Sequence, residues 1–72
     1  MGMHNDLSKA KLEKLEEEYA EITGGSALVT AESTEMSRYR FADGAEAVGT
    51  DDAVKQGQAL VNFARNLRDR RP

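Results

Sequence analysis

The chain has 72 residues, a net charge of −3, a single histidine, no cysteine and 39% hydrophobic residues. That length supports one domain near the lower limit for a self-sufficient core, with too little interior for a deep, dry active-site cavity. Without cysteine there are neither disulfides nor thiolate zinc sites, and the lone His4 leaves Ser/His/Asp and Cys/His catalysis without their parts.

Met1 to Asn5 reads as a disordered start. Asn5 or Asp6 can then cap a helix over residues 6–23. Within it Leu12, Leu15, Tyr19 and Ile22 recur at helical spacing as a bulky seam, while Asp6, Glu13, Glu17 and Glu21 lie on roughly the opposite side. The charges run against the helix dipole: Lys9, Lys11 and Lys14 come early, Glu16, Glu17, Glu18 and Glu21 late. Each such charge costs a few tenths of a kcal/mol, roughly the lower end of dipole effects. Gly24-Gly25 ends the helix, and no Gly-Lys-Ser/Thr follows to make a phosphate loop.

Residues 26–49 read as a β-hairpin or meander. Ala27 to Ala31 is β-branched enough for a strand, and Met36 to Ala42 alternates, with Tyr39 and Phe41 on one face and Arg38 and Arg40 on the other. Asp43-Gly44 reads as a two-residue hairpin turn, which would set Val48 opposite Tyr39 and Glu46 opposite Phe41 on a third strand.

The last helix occupies residues 50–69, followed by a basic tail at 70–72. Thr50 is a favourable N-cap, and Asp51 and Asp52 suit the first turn, as the terminal arginines suit the last. Ala53, Gly57, Leu60, Ala64 and Leu67 share one side, flanked by Val61 and Phe63. Leu7, Leu28, Val29, Met36, Val48 and Val54 complete the candidate core. The expected fold is α+β: an N-terminal helix, a small antiparallel sheet of two or three strands, and a C-terminal helix, both helices packed on one face of the sheet. Gly57 is the expected point of close approach between the two helices, since glycine inside a helix costs about 1 kcal/mol against alanine.

No apolar run approaches the roughly 20 residues that span a bilayer, and no signal-peptide core follows Met1. The expectation is a soluble protein, cytoplasmic or carried inside a particle. Asp43, Glu46, Asp51 and Asp52 are the densest carboxylates, but they lack calcium-loop spacing and serve turns and caps instead. No cofactor or metal is expected, and no catalysis. Nucleic acid is disfavoured because the chain is acidic and Arg38 and Arg40 point away from the neighbouring aromatics. Recognition of a protein remains, through Arg38 and Arg40 on the sheet and Arg65, Arg68, Arg70 and Arg71 at the basic end. A homo-oligomer is compatible with this. The alternative is a small acidic inhibitor or nucleic-acid mimic acting through Asp6, Glu13, Glu17 and Glu21.

Several stretches carry a resemblance. Leu12-x-x-Leu15 through Ile22-Thr23-Gly24, the strand Arg38-Tyr39-Arg40-Phe41, and Thr50-Asp51 leading to Leu60-x-x-Phe63-x-x-x-Leu67 resemble the lambda-type phage head–tail joining proteins, the W family. The pattern covers most of the chain, although Ala42 to Gly49 forms an extra hairpin arm where that family runs more directly into its second helix. The resemblance implies a structural adaptor in a ring between a phage portal and tail, with the basic C-terminal tail inserting into a neighbour.

Overall fold

The computed structural model of the chain describes residues 3–33 and 35–70, with side chains from Leu7 onward. Helix α1 spans Met3–Thr23, strands β1, β2 and β3 span Val29–Ser33, Arg38–Phe41 and Glu46–Val48, and helix α2 spans Thr50–Asp69. The strands form one antiparallel sheet in the order β1-β2-β3. The two helices pack together and against the sheet, with α2 in contact with α1, β2 and β3. This is the α+β arrangement expected from the sequence.

The expected disordered start is corrected in part, because the helix already runs from Met3. No proline or glycine interrupts residues 3–7, so the hydrogen-bond ladder carries on past Asp6. Met1 and Gly2 lie outside the described residues. At the other end Gly24, at φ 78°, takes the left-handed conformation, and the Gly25 N–H returns to the Ala20 carbonyl at 2.8 Å. That closure satisfies a helix carbonyl left open by the last turn.

The core is assembled from Leu12 and Leu15 of α1, Leu28 ahead of β1, Tyr39 and Phe41 of β2, Ala47 of β3, and Ala53, Leu60 and Val61 of α2. Tyr19, Ile22, Val29 and Val54 pack partly buried against it. Leu7, Met36, Val48, Phe63 and Leu67, all candidates for the core, are exposed. Leu67 is therefore corrected out of the interhelical seam. A strand of four residues covers about 13 Å, whereas a helix of 20 residues runs about 30 Å, so the sheet ends before it reaches Leu67.

The β2–β3 connection corrects the expected register. The Gly44 N–H bonds the Phe41 carbonyl at 2.9 Å and the Phe41 N–H bonds the Ala45 carbonyl at 2.8 Å, closing a three-residue loop over Ala42, Asp43 and Gly44. Gly44 sits at φ 90°, as the residue ending such a loop requires. One extra loop residue shifts the pairing by one, so Tyr39 faces Ala47, Arg40 faces Glu46 and Arg38 faces Val48. Side chains alternate along a strand, so the slip turns Val48 outward and Ala47 into the core. Strand β1 begins at Val29, two positions later than expected, and carries a bulge between Val29 and Ala31. The Thr30 Oγ1 donates to the Arg40 carbonyl at 3.3 Å across that bulge.

Thr50 is not the N-cap of α2. Gly49 holds that position at φ 94°, with no side-chain cap. The Thr50 Oγ1 lies 3.4 Å from the Tyr39 Oη instead, tying the first turn of α2 to the central strand. Thr50 is claimed by a long-range partner, and the cap is lost to it.

The helices run in the same direction. Ser8 donates to the Asp51 carboxylate near their N-terminal ends, and the Arg65 Nη2 meets the Glu18 Oε2 at 2.9 Å near their C-terminal ends. Side-by-side parallel dipoles place like ends together. The inverted charge order of α1 answers this arrangement. Its lysine-rich start lies beside the Asp51/Asp52 end of α2, and its glutamate-rich end lies beside Arg65.

Candidate functional site

The residues expected to recognise a partner fall into separate groups. Arg38 and Arg40 project from the outer face of the sheet, as alternation on β2 requires. The register places Glu46 directly opposite Arg40, whose Nε and Nη2 donate to its Oε2 at 3.1 Å and 2.7 Å. The Arg38 Nη2 lies 3.6 Å from the other carboxylate oxygen. The hydrogen bond from Arg40, then its charge, and then that of Arg38 hold the Glu46 carboxyl below its ordinary range. Arg40 is thereby held to Glu46 by two hydrogen bonds and Arg38 by a looser ion pair, across the strands on an exposed face. The shallow surface around them is bordered by Ala31, Ser33 and Glu46.

Arg65, Arg68 and Arg70 lie at the far end of α2. Arg65 is bound to Glu18, and Arg68 approaches its neighbour Asp69 at 3.6 Å. Arg70 is exposed and ends the helix, its N–H donating to the Asn66 carbonyl at 3.1 Å. Arg71 lies outside the described residues. The sheet arginines and the helix arginines therefore do not converge on one site.

Glu13, Glu17 and Glu21 are exposed along α1, while the Asp6 side chain lies outside the described residues. The perturbed carboxylate of this helix is its neighbour Glu16, raised by partial burial and further by the charges of Glu32 and Glu13. Asp43 accepts the Ala45 N–H at 3.0 Å, a turn-forming role, and among the described residues no group of three or more His, Asp or Glu is placed to hold a metal. Among the described residues no helix is long and apolar enough to cross a membrane.

One surface was missed by the sequence reading. Phe63 and Leu67 are 61% and 52% exposed, four residues apart on α2. They border a trough of about 520 Å³ whose remaining apolar lining includes Tyr19, Ile22, Leu60 and Ala64, with Asp43 and Arg68 at its edges. A trough so lined offers apolar area with a polar rim, the composition of a protein-binding patch. The signal that could have found it is the mismatch between a long apolar stripe on α2 and strands too short to cover it.

A three-stranded antiparallel sheet, with two parallel helices packed together and against it, defines a small α+β domain. Comparison with protein-family models, with characterised proteins and with solved structures returned no match.

Proposed function

We propose that the protein is a non-enzymatic protein-interaction module. The observation that carries this reading is the exposure of Phe63 and Leu67 together on α2, beside the trough lined by Tyr19 and Ile22. Single exposed apolar residues need no explanation, but adjacent ones around a concave apolar floor do. A partner seated there would bury the phenyl ring, the kind of anchor that carries most binding energy at interfaces. The neighbouring Arg68 would supply a polar rim.

The resemblance to head–tail joining proteins gives this reading a specific form, a phage structural adaptor docking through its basic C-terminal end. Capture of partners from the source cell, with Phe63→Ser/Leu67→Ser as the control, tests the general reading. Both side chains are exposed, so the variant should melt as the parent does. An unchanged set of captured proteins would remove the support. For the adaptor form, deleting Arg68 to Pro72 should block particle assembly without unfolding the domain.

A second reading rests on the exposed carboxylates of Glu13, Glu17 and Glu21, spaced by four along α1. There the protein is an acidic inhibitor occupying a basic groove. Glu13→Lys/Glu17→Lys should then abolish inhibition while preserving the fold, and inhibition at full strength would eliminate this reading.

A further inference from the structure

Asp52, Gln56, Ala59, Phe63, Asn66 and Arg70 follow one another on α2 at steps of four and three, so they share a single face. All are exposed except Gln56, half-buried where its amide reaches Asp43 at 3.5 Å. The core residues Ala53, Gly57 and Val61 lie on another side of the helix. The order along the exposed face is acidic, amide, small, large, amide, basic. It is self-complementary about the level of Val61. Against a second α2 running the opposite way and crossing at that level, Asp52 meets Arg70, Gln56 meets Asn66, and Ala59 meets Phe63.

We infer that this face of α2 is an isologous contact with a second copy of the chain, the two α2 helices antiparallel. Each of the three pairings then occurs twice, as a two-fold axis demands. The small Ala59 leaves room for the ring of Phe63 from the other copy, as interdigitating helix surfaces require. The acidic first turn of one helix lies against the basic last turn of the other, and the dipoles, aligned within each monomer, oppose across the contact. A neutral, self-matching charge pattern fits this occupant better than it fits a strongly charged partner.

The stripe is about 27 Å long and about 10 Å wide. The resulting few hundred Å² lies well below the ~800 Å² per partner of a stable complex. The dimer is accordingly weak.

This inference rests on the reading of the Phe63 face as an interaction surface and names its occupant. The test is sedimentation equilibrium of the full chain up to about 1 mM, alongside circular dichroism, for the parent, Phe63→Ser, Asp52→Arg, Arg70→Asp and the Asp52→Arg/Arg70→Asp double variant. The expected result is a monomer–dimer equilibrium lost in all three single variants and regained in the charge-swapped pair, with helical content unchanged throughout. A parent monomeric at 1 mM, a dimer indifferent to Phe63→Ser, or a swap that fails to restore association would each overturn the inference. Capture of a foreign protein that depends on Phe63, by a chain monomeric at 1 mM, would overturn the dimer and leave the interaction-module reading standing.

Discussion

A Cβ built on Gly57 would lie 3.2 Å from the Cδ2 of Leu28, 3.4 Å from the Cδ1 of Leu15 and 3.5 Å from the Cδ1 of Leu12. Alanine at this position therefore meets two ordinary contacts and one tight one. Leu28 is 1% exposed and closed in by the core, so it can yield only slightly. Against that strain stands about 1 kcal/mol gained by removing glycine from a helix interior. Gly57→Ala should leave stability within about 1 kcal/mol of the parent. Leucine adds three further carbons where three leucines already meet, and overpacking of this kind costs about 1–3 kcal/mol. For a domain this small each kcal/mol moves the melting temperature by roughly 4–8 °C, so Gly57→Leu should melt on the order of 10 °C lower. Thermal unfolding followed by circular dichroism reads both. The cause is checked by Leu28→Ala, which vacates the tightest contact. If overpacking is responsible, Gly57→Leu/Leu28→Ala should be more stable than the sum of the single effects by about 1 kcal/mol or more. A Gly57→Leu protein melting with the parent would refute the close approach of α1, α2 and the Leu28 segment at this point.

The register makes Val48→Lys nearly neutral, within about 0.5 kcal/mol for an exposed site, while Ala47→Lys should unfold the domain; chemical denaturation of both variants distinguishes this pairing from the one-residue slip. Glu16 has a raised carboxyl, so the ionised form is the disfavoured one in the fold. Its contribution is fully present below the ordinary value of 4.5 and is lost as pH rises through the higher folded value, so Glu16→Gln should raise the melting temperature at pH 7 and leave it unchanged at pH 3. Glu46 is depressed, with the opposite sign: its contribution is present above 4.5 and is lost as pH falls through the folded value, so Glu46→Gln should flatten the acid limb of the stability profile. Ser37 sits at φ 50°, where a Cβ is strained. Ser37→Gly should add up to about 1 kcal/mol, and a lower midpoint in denaturant would contradict that account.

Much of the architecture was legible because periodicity reports burial directly. Leu12 and Leu15 on α1, Tyr39 and Phe41 on β2, and Ala53, Gly57 and Leu60 on α2 all sit where their spacing places them. The misses came where a local preference had to be weighed against geometry that one sequence does not display. Asp43-Gly44 is a favourable two-residue turn in isolation, yet the closure of Phe41 on Ala45 makes a longer loop and moves Glu46 onto the face of Arg40. That slip pairs Arg40, and more loosely Arg38, with Glu46 on the exposed face of the sheet. Leu67 obeys the helical period but outruns the sheet, so its exposure depends on strand length. The direction of the helices relative to one another was likewise invisible, since leucine spacing reads the same either way.

The Glu18–Arg65 contact is partly exposed, and pairs of that kind contribute little to stability, about 1 kcal/mol at most. Its larger effect is on alignment. Leucines recurring nearly every turn would let one rod slide along the other by four residues with modest loss. Such a slide would bring Arg65 level with Lys14 in one sense, where like charges repel, and with Ile22 beside Glu21 in the other. A pattern that looks wasteful on an isolated helix acts as a one-way stop, opposing the slide that would carry Arg65 onto Lys14.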